Sequence, residues 1–264
     1  MVSSRGLRLG KIAWAVLPAA TSALSSAAYS FGAMSMQLKD QVILVTGGFG
    51  ALGRAVCAAC LTQGARVVAL DRAEKNSAPA EDQRLDLGGV DLTDSAQTER
   101  AVGAALAKFS RIDGLVNVAG GFVWQTVADA DPQQWQSMYA INLNTAVVTS
   151  RAVLPHMQEG SGRIVNIGAY AALRAQAGMG PYTAAKSAVM RFTESLAEEL
   201  KDRAINVNAV LPSIIDTAQN RADMPDADHA RWVSPEALAE VIVFLLGPGA
   251  RAITGALIPV TGRV

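Results

Sequence analysis

Short unbroken apolar runs alternate along this chain with longer segments whose apolar positions recur every three or four residues. The runs at 42–46, 67–70, 112–118, 163–167 and 205–211 are too short for helices and show no apolar–polar alternation. They predict strands buried on both faces, the habit of parallel sheets. A weaker strand falls within 84–91 and a last short one at 256–260. Between them, a Gly-rich stretch leads into one helix, Asp94 or Ser95 caps another over 95–109, and Asp131-Pro132 opens a long helix carrying Trp135, Met138, Ile141 and Asn142. Pro181 starts a helix reaching about Lys201, and Ser234-Pro235-Glu236 starts one more. Pro212 ends the sixth strand, and the polar stretch from there to Trp232 has no clear period, which predicts a long loop. Strands alternating with helices imply an α/β fold with one doubly wound, mostly parallel sheet in a single domain. Ligands of such a sheet collect at the carboxyl ends of its strands.

Composition narrows the partners. The 264 residues carry 23 Lys and Arg against 23 Asp and Glu, so no global basic field draws nucleic acid or an anionic membrane. No apolar run approaches the roughly 20 residues of a bilayer-spanning helix. Cys57 and Cys60 form a C-x-x-C, but they fall inside a predicted helix rather than at its N-terminus. Only the distant His156 and His229 are available to complete a metal site, so small buried residues and no metal are expected. Residues 1–35 stand apart from 36–264: no Asp or Glu precedes Asp40, and Arg5, Arg8 and Lys11 lead an Ala/Ser-rich stretch. That composition suits a transit peptide or secretory signal, or else a start assigned upstream of Met34 or Met36. The last is favoured slightly.

The candidate chemistry begins after the first strand. Gly48, Gly50 and Gly53 form a G-x-G-x-x-G between a strand and a helix, and Asp71 sits at the end of the next strand. Glycines let the backbone turn tightly against a pyrophosphate, at which the helix aims its free N–H groups. Gly47, Phe49, Gly50 and Leu52 are thus expected to face a dinucleotide. Asp71 favours NAD, because a carboxylate accepts from the ribose 2′-OH and repels a 2′-phosphate; Arg72 beside it softens that preference and leaves NADP as a second cofactor. Further on, Tyr182 and Lys186 lie four apart on a predicted helix, so phenol and ammonium are neighbours. A nearby positive charge favours phenolate and lowers the tyrosine pKa.

Together these motifs resemble the short-chain dehydrogenase/reductase family over essentially all of residues 38–264. Thr46, Gly47 and Gly53 meet its Thr-Gly-x-x-x-Gly-x-Gly pattern, with Ala51 at the middle glycine. Asn117-Val118-Ala119-Gly120 is similar to Asn-Asn-Ala-Gly, Tyr182 and Lys186 match Tyr-x-x-x-Lys, and Asn142 falls where the fourth catalytic residue lies. Pro212 through Thr217 resembles the loop that holds the nicotinamide carboxamide, with Ser213 for the usual glycine. The resemblance implies that Tyr182 passes the proton, that Lys186 lowers its pKa and binds the nicotinamide ribose, and that Asn142 supports a water-linked proton path. Asp91 and Leu92 would flank the adenine, while Asn117, Ala119, Gly120, Pro212, Ile215 and Thr217 complete the cofactor site. It also implies a small-molecule substrate and a homodimer or homotetramer, built through the helices around Asn142 and Tyr182.

One departure stands out. The family places a serine about thirteen residues before the tyrosine to hold and polarise the substrate carbonyl, and here Ala169 occupies that place. Ordinary ketone reduction loses a donor worth a few kcal/mol. The quinonoid dihydropteridine reductases also lack that serine, and the resemblance to them extends over 48–53, 118–121, 171–182 and 211–232. A quinonoid imine is already activated, with Phe122 and Trp124 expected to hold the flat ring. The alternatives are a general carbonyl reductase or alcohol dehydrogenase, with Tyr170 or water replacing the serine, and a cofactor-binding sensor without turnover. A nicotinamide enzyme needs an intracellular cofactor pool, so the cytoplasm is expected, or an organelle if residues 1–35 are a transit peptide.

Overall fold

The computed structural model describes residues 36–74 and 82–264, so the expectations for residues 1–35 lie outside the described residues. Seven strands form one all-parallel sheet in the order β3-β2-β1-β4-β5-β6-β7. They are β1 (Val42–Thr46), β2 (Arg66–Leu70), β3 (Arg84–Leu87), β4 (Gly114–Asn117), β5 (Arg163–Ile167), β6 (Asn206–Pro212) and β7 (Leu257–Val260). The helices are α1 (Ala51–Thr62), α2 (Ser95–Phe109), α3 (Pro132–Tyr139), α4 (Thr145–Val153), α5 (Gly180–Glu199), α6 (Ala218–Asp223) and α7 (Pro235–Leu246).

Successive side chains of a strand point to opposite faces, and the two faces divide the core. Ile43 and Val45 of β1 pack with Val67, Ala69, Val116, Val165 and Val210 beneath α1 and α7. Val42 and Leu44 pack on the other side with Val68, Leu70, Leu115, Ile164 and Val207 beneath α2, α4 and α5. Both faces of β1 are fully buried, which is why its sequence runs apolar without alternation. Cys57 and Cys60 lie in the α1–α7 layer as small core residues, and burial pushes the Cys57 thiol up to about 12 and Cys60 higher still.

The strand order reverses between β1 and β4, whose ends Thr46 and Asn117 are ladder partners. Such a reversal opens a crevice beyond the strand ends, and Gly47 to Gly50, Asp71 and Val118 to Gly120 all follow strands that end there.

Several boundaries come out where the sequence puts them. Asp94 caps α2 through Ala96 N–H at 2.8 Å and Gln97 N–H at 3.1 Å, and Asp131 caps α3 through Gln133 N–H at 2.8 Å. Three expectations change. The long helix after Asp131 is interrupted by a π-turn over Ala140–Asn144. The stretch expected as a loop to Trp232 holds α6, capped by the Thr217 hydroxyl on Asn220 N–H at 3.1 Å, and a further turn of 3₁₀ helix over His229–Arg231. Pro212 is the last residue of β6 rather than the one after it. Among the described residues no helix is long and apolar enough to cross a membrane.

Candidate active site

A cleft of about 1100 Å³ occupies the crevice. Its floor is the turn after β1 with the start of α1, its far wall the ends of β2 and β3, and its near wall the residues after β4 with the π-turn. Gly47, Phe49, Gly50, Leu52, Asp71, Asp91, Leu92, Ala119, Gly120 and Thr217 all line it. The residues fit a dinucleotide on two independent counts. α1 begins at Ala51 behind the N-cap Gly50, which has no side chain to cap it, leaving its first N–H groups for an anion. Asp71 is fixed by backbone donors, Phe49 N–H to Oδ2 at 3.0 Å and Ala73 N–H to Oδ1 at 2.9 Å, so its carboxylate is held against the Gly-rich turn.

Asp91 closes a local turn, its Oδ1 accepting from Thr93 N–H at 2.9 Å and the Thr93 hydroxyl at 2.7 Å. Asn117 does not reach the cleft surface: it is buried between β4, β5 and α4, donating through Nδ2 to Asn166 Oδ1 at 2.8 Å and Ser150 Oγ at 3.2 Å. These bonds tie β4 to β5 immediately before the turn that carries Ala119 and Gly120. Thr46 does similar work from β1, its hydroxyl accepting from Ala119 N–H at 3.0 Å. On the opposite side Ile215 bridges to Val233 and its carbonyl accepts from Asn220 Nδ2 at 2.7 Å, which fixes the segment from Pro212 to Thr217. The wall residues Ala140 and Thr145 were not singled out in the sequence, and Ile141 only as part of a helix, because small and apolar residues within a helix carry no chemical signal.

Lys186 is buried on α5, and its Nζ donates to Ile167 O at the end of β5 at 2.7 Å. A Cβ on Gly120 would lie 3.5 Å from that Nζ and 2.6 Å from Asn142 Oδ1, so lysine and asparagine converge on the glycine that lines the cleft. Asn142 sits in the π-turn and bonds Gly121 in both directions. Tyr182 lies one turn before Lys186, its ring perpendicular to that of Phe122 at 5.0 Å between centroids. Ala169, two residues beyond Ile167, is buried and supplies no side-chain donor.

Burial sets the protonation states. It drives Lys186 down to about 8 and Tyr182 up to about 12, because a charge is costly where water is excluded. The lowered tyrosine pKa expected from helix spacing is thus not found in the chain alone: desolvation outweighs the neighbouring ammonium. A stability signature follows. Between pH 8 and 10.5 the unfolded lysine keeps its proton while the folded one has released it, so the unfolded state binds more protons and stability rises with pH. The buried thiols act in the opposite sense above about pH 9. The lysine contribution is therefore read as a difference: urea midpoints of the unaltered chain gain on those of Lys186→Met as pH rises from 8. A difference that stays flat contradicts the buried, desolvated lysine.

A cleft at the reversal point of a parallel sheet, lined by the glycine on which Lys186 and Asn142 converge, with Tyr182 one helical turn before that lysine, defines an oxidoreductase site. The chain belongs to the short chain dehydrogenase family, which matches residues 41–228, and it is an NAD(P)-dependent oxidoreductase. It is 32% identical over 251 residues to 2-(S)-hydroxypropyl-CoM dehydrogenase 3 of Xanthobacter autotrophicus, covering 87% of this chain and 98% of that one. It is 30% identical over 239 residues to a 3-oxoacyl-acyl-carrier-protein reductase of Vibrio cholerae, covering 86% and 98%. The crystal structure of a 3-ketoacyl-(acyl-carrier-protein) reductase from Brucella melitensis complexed with NADH superposes with a TM-score of 0.76 at 29% identity, covering 85% of this chain and 98% of that one.

Proposed function

We propose that this chain uses NADH to reduce a small, already activated organic acceptor of the quinonoid dihydropterin type, with Tyr182 delivering the proton. The observation that carries this reading is Ala169: two residues beyond Ile167, whose carbonyl holds Lys186, the position where a carbonyl-polarising hydroxyl is expected holds a buried methyl group. The dinucleotide, when bound, supplies the hydride. Gly47, Phe49, Gly50 and Leu52 receive its pyrophosphate, Asp71 its ribose hydroxyls, and Asp91 and Leu92 its adenine. Asn117, through the turn it supports, acts with Ala119, Gly120, Lys186, Pro212, Ile215 and Thr217 at the nicotinamide end. Asp71 makes NADH the preferred form and NADPH the lesser one.

The same reading assigns the folded enzyme to residues 36–264, places it in the cytoplasm, and treats residues 1–35 as a leader or an upstream extension. It also gives the chain a homodimeric or homotetrameric state. In support of assembly, Trp135, Tyr139, Pro181 and Ala184 border an apolar hollow of about 390 Å³ on the outer faces of α3 and α5.

A second reading, reduction of an ordinary ketone, is favoured by the names of the ketoacyl reductases among the relatives. Ala169→Ser separates the two. For an acceptor that needs no polarisation, the added hydroxyl leaves turnover of quinonoid dihydropterin within about three-fold. A gain of about 100-fold with a ketone, overtaking the pterin, would move the chain to the ketone reductases.

A further inference from the structure

Beyond β6 the chain makes an excursion over residues 213–233 that carries Thr217 and α6 and then returns to the sheet. Its two legs are tied to each other at the neck, where Val233 N–H donates to Ile214 O at 3.0 Å and Asp216 N–H to Val233 O at 2.8 Å. A second set of bonds ties both legs to the residues that follow β7. On the outgoing leg Ser213, which stands where the family resemblance expects a glycine, donates through its N–H to Val260 O at 3.2 Å and through Oγ to Thr261 O at 2.8 Å. On the returning leg Arg231 and Arg263 exchange three bonds. Arg263 N–H donates to Arg231 O at 3.0 Å, and the Arg231 guanidinium closes back on Arg263 O through Nε at 3.0 Å and Nη2 at 2.6 Å.

A glycine makes this clasp possible. Gly262 has φ +61°, and a Cβ there would fall 2.8 Å from Arg231 O, a backbone atom, so a side chain would strain the turn and part the two arginines. Arg231 is exposed, and a long solvated side chain has no fixed place of its own; forking two charge-assisted donors onto one carbonyl gives it one. From the clasp a continuous line of contacts runs to the cleft. Arg231 ends the 3₁₀ turn His229–Arg231, where the His229 ring lies 4.4 Å from that of the buried Trp232 and its Nε2 meets Met224 O at 2.9 Å. Met224 is the C-cap of α6, whose N-cap is Thr217, a residue of the cleft wall.

We infer that Arg231 is a positioning residue for the nicotinamide side of the cleft: its clasp on Arg263 holds residues 213–233 in place before the dinucleotide arrives, so that Thr217 already stands at the cleft wall. The inference rests on the proposed placement of Thr217 at the nicotinamide end. A segment that had to be ordered on binding would weaken cofactor affinity by the cost of ordering it, and a clasp made within the chain removes that cost. If the fraction of chains with the segment in place falls to about a tenth, NADH affinity falls about ten-fold. The amides of the segment then exchange faster, because the same opening exposes them to water.

The test compares the unaltered full-length chain with Arg231→Leu and Arg231→Lys, by fluorescence titration with NADH and by amide hydrogen exchange over residues 218–224. Arg231→Leu is expected to raise the NADH Kd about ten-fold and to speed exchange at 218–224 in the cofactor-free chain by at least about ten-fold. Saturating NADH returns that exchange to the unaltered rate, and Tm falls by less than about 2 °C, since the side chain is on the surface. Arg231→Lys, which keeps the charge and one donor, brings the Kd back to within about three-fold of the unaltered chain. No change in Kd or exchange with Arg231→Leu would overturn the inference. So would exchange that rises evenly through the sheet with a lower Tm, which is loss of stability rather than of placement. Unchanged NADH affinity in Thr217→Val would instead overturn the reading beneath it, so the two failures are told apart.

Discussion

Tyr182→Phe lowers kcat by about 10³-fold or more while NADH binds within about two-fold of its original affinity. The substitution removes one oxygen and keeps the ring, so the edge contact with Phe122 and the packing of α5 are retained. What is lost is the proton. At neutral pH the buried phenol, pushed up to about 12, is fully protonated, and a neutral phenol is the form able to donate in the reductive direction. Lys186 stands one helical turn away with its Nζ bound to Ile167 O, so the positive charge is held in place by the end of β5 rather than by the tyrosine. As electron density builds on the accepting atom, that ammonium favours the departing phenolate. Initial rates of NADH oxidation, with binding followed by fluorescence, check the split. A variant that keeps a tenth of its turnover would show that the proton reaches the acceptor by another route.

Gly53→Ala weakens cofactor binding by a different cause. A Cβ at this first-turn position of α1 would sit 2.0 Å from Gly47 O and 2.8 Å from both Gly47 C and Gly48 Cα. All three are backbone atoms, so no side-chain rotation relieves the clash. Either α1 moves away from the strand end or the turn opens, and both displace the N–H groups that face the cleft. NADH affinity is expected to fall by about 100-fold, with Tm lower by about 5–10 °C. Gly50→Ala is the matched control: its Cβ would meet Gly47 O at 3.4 Å, an ordinary contact, and its φ of −74° suits alanine. Stability there is expected within about 0.5 kcal/mol of the unaltered chain. Similar losses at both positions would mean that the geometry of the turn is not what the glycines protect.

Much of this was readable before any coordinates. The 163–167 strand and the 95–109 helix emerge with the bounds the sequence suggests, because an apolar run flanked by Gly and a helix opened by Asp94 leave little choice. The Gly-rich turn, Asp71 and the Tyr–Lys pair were legible because each is a residue type tied to a spacing. The π-turn was not: one extra residue in a helical turn barely disturbs an i, i+3, i+4 pattern, yet it governs where Asn142 points. α6 is too short to show a period and is set by the Thr217 cap and the Asp216–Arg221 ion pair, whose second contact is 2.7 Å. The tyrosine pKa failed for a related reason. Spacing along a helix reports which groups are neighbours, whereas desolvation depends on what the rest of the chain lays over them.

The most direct measurement is NADH oxidation by the unaltered chain with quinonoid dihydropterin, beside a panel of ketones and quinones and with NADPH in parallel. Rapid oxidation of NADH with the pterin, exceeding that with any ketone, is the predicted result, with NADPH the poorer donor. Tight NADH binding with no acceptor reduced would contradict the account and leave a cofactor-binding protein that performs no turnover.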